Sequence, residues 1–329
     1  MNINLHKRFL LLLGKLLAVA LTVFLLYQAI GTAPDTLLSW PDILRKAVQS
    51  QHRYLFILSA ILIPVNWAFE ARKWQRLGHK LEPISFLRAY RAVMVGLTLG
   101  FITPNRLGDY AGRVLELKNK ERLEAIGAIF IGRFCQLVAT VLAGSGGLLY
   151  FILQFGWPAY PAVSLSLFIL LLALCAGALL LLYHAKAIVA LVAAIKPLRR
   201  FVPYIAVMGN YTSSEISELL WLSLGRYAVF LGQFILLLIL FEVQLNPVQY
   251  LAGVSGTFFL KSVVPSVSFL SDLGVRELSA MYLFGLLGQV RLQVLSASLS
   301  LWLLNIAVPS AAGLYFVLRL RLARKGVKV

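Results

Sequence analysis

Long apolar runs separated by short polar clusters recur along the chain from Phe9 to Leu318. Crossing a hydrocarbon core takes about 20 residues of apolar helix. Six runs approach or exceed that length: residues 9–30, 54–69, 126–155, 161–183, 219–241 and 294–317. The first could pass as a secretory leader, but its apolar part is too long and no small-residue cleavage site follows it. It reads as an uncleaved first membrane helix. The pattern predicts an all-α polytopic membrane protein with about six crossing helices.

Two further apolar runs, residues 86–102 and 250–264, lead directly into broken, charged stretches. The first stretch, residues 96–117, breaks at Thr103-Pro104-Asn105 and runs into Arg106, Asp109, Arg113 and Glu116. Those four charges are spaced to share one helical face. The second, residues 264–277, has Pro265, small polar residues, then Asp272, Gly274, Arg276 and Glu277.

The basic residues decide topology, because Lys and Arg crowd cytoplasmic loops. Twenty-two of them cluster before the first run, at 72–91, 106–122 and 186–200, and in the tail, against four in the alternate loops. Both flanks of residues 86–102 are basic, so that segment enters from the cytoplasm, breaks near Pro104 and returns. The flanks of residues 250–264 are poor in basic residues, so the second segment enters from outside. Two re-entrant hairpins then join six crossings in an inverted repeat, with both termini cytoplasmic. The halves are residues 1–183 and 204–329, with an interfacial linker at 184–203. Broken helices at the interface of inverted repeats are a recurrent transporter design.

Composition agrees. The chain is 60% hydrophobic and only 13% charged, with a mean hydropathy of +0.83. A soluble domain is nearer half apolar and a quarter charged. The net charge of +18 points to anionic lipid headgroups rather than nucleic acid. Cys135 and Cys175 lie in apolar runs, and the four histidines are scattered, so no metal site, disulfide or cofactor is expected. The Gly144-Ser145-Gly146-Gly147 run has no lysine after it and reads as a helix-packing surface.

Charge inside a membrane segment marks a candidate site. The substrate-binding candidates are Arg106, Asp109, Arg113, Asp272, Arg276 and Glu277, with Asn105, Arg133, Arg226 and Lys261 as supporting cavity residues. An arginine fork suits phosphate oxygens, and a neighbouring carboxylate holds the fork or receives an ammonium group. The alternative is that these charges only staple the hairpins to each other. Glu116 reads as solvated. Asn66, Glu70, Gln136, Gln233 and Asn305 are further intramembrane polar residues, read as structural hydrogen-bonders. No nucleophile, metal motif or nucleotide fingerprint stands out, so an enzyme is not expected.

Residues 103–109, then Arg113 and an apolar helix carrying Gly132-Arg133, resemble the Pro-x-Arg-x-Gly-acidic region of the lysylphosphatidylglycerol synthase transmembrane family. That is the flippase-like domain found in the multiple peptide resistance factor. Gly274-Val275-Arg276-Glu277 resembles the family's second element. The match is loosest after Asp109, where the next arginine comes one position later than usual, and before Gly274, where Pro265 and serines replace a Pro-Gly-Gly run. The resemblance implies a stand-alone translocator of a polar or phosphate-bearing lipid in a bacterial-type inner membrane, without synthase activity. Its implied partners are anionic membrane lipids and a possible second copy of the chain. An ion-coupled transporter of a small anion, or a non-transporting partner of a lipid- or glycan-modifying enzyme, are the alternatives.

Overall fold

A computed structural model describes residues 45, 49, 51–103, 107–117, 124–264 and 269–325, with side chains described except at 102, 269–273 and 319–325. The expected first helix at 9–30 lies outside the described residues. Twelve α-helices follow from residue 53 on: α1 (Arg53–Gly78), α2 (Phe86–Ile102), α3 (Leu107–Leu115), α4 (Glu124–Phe151), α5 (Pro161–Tyr183), α6 (Ala185–Ala194), α7 (Val202–Ile205), α8 (Ser213–Leu240), α9 (Pro247–Val263), α10 (Phe269–Leu286), α11 (Arg291–Trp302) and α12 (Val308–Lys325). Single π-helical turns continue α4 and join α11 to α12. Among the described residues, five segments are long and apolar enough to cross a membrane: Arg53–Gly78, Glu124–Gly156, Pro161–Tyr183, Ser213–Leu240 and Arg291–Leu318. They coincide with five of the six expected crossings, so the chain is an all-α integral membrane protein.

One boundary differs in an informative way. The run expected to end near residue 69 continues as α1 to Gly78. Lys73, which read as a cytoplasmic loop cation, is buried, as are Glu70 and Trp74 beside it. A helix does not have to end at its first charge if that charge finds a partner inside the protein.

α5 buries only Ser164 and Leu182. A helix apolar on every side is at home in lipid.

α2 and α3 form an antiparallel hairpin. Thr103 has extended backbone and ends α2; its hydroxyl donates to the Leu99 carbonyl and accepts from Gly108 N, both at 2.7 Å. The helices then meet backbone to backbone. A Cβ on Gly112 would lie 2.4 Å from Gly96 Cα, and one on Gly96 would lie 2.5 Å from Asp109 Oδ1. Small residues at such crossings let helix axes approach within membranes. At nine residues, α3 is about 14 Å long and too short to cross alone.

α9 and α10 form the corresponding hairpin in the second half. Each hairpin packs on the far half: α9 against α4, and α2 against α12. Gly144 and Gly147 make the first of these contacts, with a Cβ on Gly147 only 2.1 Å from Ser255 Oγ, as the glycine run predicts. The second is pinned by Thr98 Oγ1 donating to the Ser310 carbonyl at 2.8 Å. α1 and α8 pack on each other and join the halves.

Between α5 and α8 the chain makes short turns, α6 through the 3-10 segment Ala206–Asn210, which cover most of the region expected as a linker and run past its end. Leu191, Ile195, Leu198, Phe201 and Tyr204 are exposed there, beside exposed Lys186, Lys196, Arg199 and Arg200. Apolar and basic side chains together suit a lipid–water boundary. Thr212 and Glu215 form a reciprocal capping box that starts α8.

Candidate functional site

Polar side chains gather where α1 crosses α8. The two helices run antiparallel, and contacts recur along them. Gln233 Nε2 donates to the Ser59 carbonyl at 2.8 Å, Arg226 Nε to Asn66 Oδ1 at 3.2 Å, and Lys73 Nζ to Ser223 Oγ at 3.4 Å. Where α1 ends and α8 begins, the partly exposed pairs Arg76–Glu218 and Lys80–Glu215 close at 2.6 and 2.7 Å.

Glu70 is the hub of the buried part. Its Oε2 takes Lys73 Nζ at 2.9 Å and Arg226 Nη1 at 3.0 Å, and its Oε1 takes Arg113 Nη2 at 2.9 Å. Asn66, Glu70, Lys73 and Trp74 recur at helical spacing on one face of α1. Arg113 also reaches Asp109, Nε to Oδ1 at 3.1 Å, and Asp109 Oδ2 takes Arg133 Nη2 at 2.5 Å. One chain of ion pairs thus links α8, α1, α3 and α4. Trp67 lies against the Arg226 guanidinium at 5.0 Å, and Tyr110 against that of Arg133 at 4.4 Å; such faces stabilise cations that have lost water.

This network walls a cavity of about 390 Å³. Among the described residues lining it are five cations, Lys73, Arg113, Arg133, Arg226 and Lys261, and two carboxylates, Glu70 and Asp109. A second cavity, about 240 Å³, shares Trp67, Arg226 and Lys261 with the first and adds Tyr227, Phe230, Phe258 and Arg276. Its aromatic wall is tightly built, with Phe230 and Phe258 stacked at 5.0 Å. A buried charge is costly unless paired. The side chain of Arg113 is only 5% exposed and held by two carboxylates, whereas that of Arg133 is 36% exposed. Arg133 is therefore the arginine freer to meet a ligand, and Arg113 is fixed framework.

Of the sequence candidates, Asp109, Arg113, Arg133, Arg226 and Lys261 come together around the first cavity, and Arg276 lines the second. Glu277 sits behind Arg276. Its Oε1 takes Arg276 Nη2 at 2.5 Å and Ser298 Oγ at 2.8 Å. Asn105 and Arg106 lie outside the described residues, as does the side chain of Asp272, so the expected facing of Arg106 and Asp272 is not described.

Glu116 is a correction. It was expected in solvent but is buried, gripped by Arg91 through Nε at 3.0 Å and Nη2 at 2.6 Å. α3 ends at Leu115, so Glu116 turns back toward α2 instead of continuing the face of Asp109 and Arg113.

Glu70 and Lys73 were not among the site candidates, and Lys73 counted as a loop cation. The available signal was the helical spacing of Asn66, Glu70, Lys73 and Trp74, with acid and base three apart. Asn66 and Asn305, read as structural, do pair with each other, Nδ2 to Oδ1 at 2.8 Å.

The family described as the lysylphosphatidylglycerol synthase TM region matches residues 36–313. No curated protein and no solved structure matches the chain.

Proposed function

The chain belongs to the lysylphosphatidylglycerol synthase TM region family, and on that premise we propose that it translocates a lipid with a polar, phosphate-bearing headgroup. The observation that carries this is the cavity lined by five cations and two carboxylates among the described residues, beside an aromatic annexe. The headgroup passes through the polar cavity while the apolar chains stay in lipid or against Tyr227, Phe230 and Phe258. Arg133, Arg226 and Lys261 contact headgroup oxygens. Glu70 and Asp109 hold the arginine forks in place.

The exchange of hairpins between halves supports an inverted repeat, with α2–α3 entering from the cytoplasm and α9–α10 from the opposite side. Alternating access then comes from rocking one half against the other along the α1–α8 seam. The membrane is a bacterial-type inner membrane with both termini cytoplasmic, and no bond-making step is assigned to the protein.

The test is translocation of a fluorescent anionic phospholipid in liposomes. Arg133→Ala is expected to slow translocation at least about tenfold, a loss equivalent to one charge-assisted contact, and Arg133→Lys to restore part of it. Equal rates for wild type, Arg133→Ala and Arg106→Ala would overturn the proposal. Gradient-driven uptake of a water-soluble anion without lipid movement would favour a solute transporter instead.

A further inference from the structure

The segment between α5 and α8 lines neither cavity. It leaves one membrane span at Tyr183 and enters the next at Ser213, so it lies at a membrane surface. α6 has ten residues, about 15 Å of helix, and is too short to cross. The sequence has no Asp or Glu between Glu124 and Glu215, while this segment carries Lys186, Lys196, Arg199 and Arg200, all exposed. The next carboxylates in the chain, Glu215 and Glu218, are held by Lys80 and Arg76. Among the described residues no carboxylate pairs with any of the four cations.

The 3-10 segment Lys196–Phe201 sorts these groups into edges. With three residues per turn, side chains three apart eclipse. Lys196 therefore stands in line with Arg199, about 6 Å along the axis, and Leu198 stands in line with Phe201. Arg199 Nε donates to the Ala193 carbonyl at 2.8 Å, which fixes the guanidinium by its base and leaves both terminal nitrogens to a ligand. Arg200 lies over the Phe201 ring at 4.9 Å, between the cationic and apolar edges. Leu198 and Phe201 are exposed, as are Leu191 and Ile195 just before them.

This platform is seated firmly. Val207 and Met208 are buried in one core with Leu77, Ala125 and Ala128, and the Tyr211 hydroxyl donates to the Leu77 carbonyl at 2.9 Å. Leu77 is one helical turn beyond Lys73, and its side chain abuts Gly132, the neighbour of Arg133.

We propose that the segment is a surface site for an anionic phospholipid of the surrounding leaflet. Lys196 and Arg199 clamp the phosphate, and Leu198 and Phe201 enter the acyl boundary beside it. A free phosphate would use the cationic edge alone, whereas a lipid uses both. A zwitterionic headgroup brings its own ammonium against the two cations and is disfavoured. The bound lipid braces the ends of α1 and α4 through Leu77. The site is separate from the cavity and does not depend on the translocation reading.

The test is lipid titration of delipidated, full-length protein in detergent, followed by native mass spectrometry. The probes are dioleoyl phosphatidylglycerol and dioleoyl phosphatidylcholine, which share chains and phosphate and differ in net charge. The first lipid bound is expected to be phosphatidylglycerol, with a preference of about tenfold. Lys196→Gln/Arg199→Gln should reduce that preference to less than about threefold. Both side chains are exposed, so the variant should fold, and thermal unfolding without lipid checks this. Arg53→Gln/Arg291→Gln removes two exposed cations at the other end of the bundle and should keep the preference. Loss of preference in this control as well as in the first variant would mean that overall charge, not this site, selects the lipid, and would overturn the proposal. So would a preference untouched in Lys196→Gln/Arg199→Gln. Glycerophosphoglycerol, the headgroup without chains, should not displace the lipid at millimolar concentration; displacement would overturn the role of the apolar edge. Hydrogen exchange in nanodiscs supplies a second reading. Residues 195–201 should be protected by phosphatidylglycerol and not by phosphatidylcholine. Equal protection in both would mean that a second copy or another protein covers the segment, and would overturn the lipid assignment.

Discussion

Glu70 and Arg113 meet at 2.9 Å although 43 residues separate them in the chain. The contact joins the long helix α1 to the short α3 and buries both partners. Because Glu70 also holds Lys73 and Arg226, one carboxylate serves three cations from three helices.

Glu70→Gln leaves those cations without their shared counter-charge. Breaking a buried pair from one side costs about 3–5 kcal/mol, and a marked fall in the detergent unfolding midpoint is expected. Arg76→Ala and Lys80→Ala remove partly exposed pairs on the same seam and should cost less than about 1 kcal/mol each. If Glu70→Gln is as benign as those two, Glu70 is not the hub.

Gly96→Ala tests the site without changing any charge. The new Cβ would fall 2.5 Å from Asp109 Oδ1 and 2.9 Å from the Asp109 carbonyl, so Asp109 must move and its contact with Arg133 must loosen. The expected result is a folded but destabilised protein, by about 1–3 kcal/mol as for other overpacked sites, with translocation reduced as in Arg133→Ala. Full translocation activity in Gly96→Ala would mean that the Asp109–Arg133 pair is dispensable.

Glu116→Ala leaves Arg91 without its carboxylate and frees the end of α3 from α2. The expected signature is local: faster hydrogen exchange in α3 and at the start of α2, with exchange in α5 and α8 unchanged. Uniform acceleration across the chain would argue against a local fastening.

Side of labelling tests the orientation. In a background lacking Cys135 and Cys175, Arg199→Cys and Gln244→Cys lie in exposed turns at opposite ends of α8. A membrane-impermeant maleimide applied to intact cells should label Gln244→Cys and spare Arg199→Cys. The reverse pattern would invert the topology.

The five spans were legible because long apolar runs are a strong signal in any chain that must satisfy its backbone inside lipid. Asp109 and Arg113 were legible from their spacing beyond the break. Glu70 and Lys73 were not, because hydropathy treats a charged pair as the end of a span. Here the pair is solvated by other helices, which no local window contains. Glu116 misled for a related reason. Its spacing continued the face of Arg113, but α3 stops one residue earlier, and the partner that buries it, Arg91, comes 25 residues before it.

The backbone contact of Gly96 with Gly112 bears on motion. No side chain stands between α2 and α3 there, so no rotamer change can absorb a shift of one against the other. Arg91–Glu116 lies on one side of this crossing and Asp109 on the other. The crossing is thus a fulcrum: a small tilt of α3 about it would swing Asp109 and Arg113 against Arg133 and Glu70, changing how the cavity is charged before it changes how wide it is.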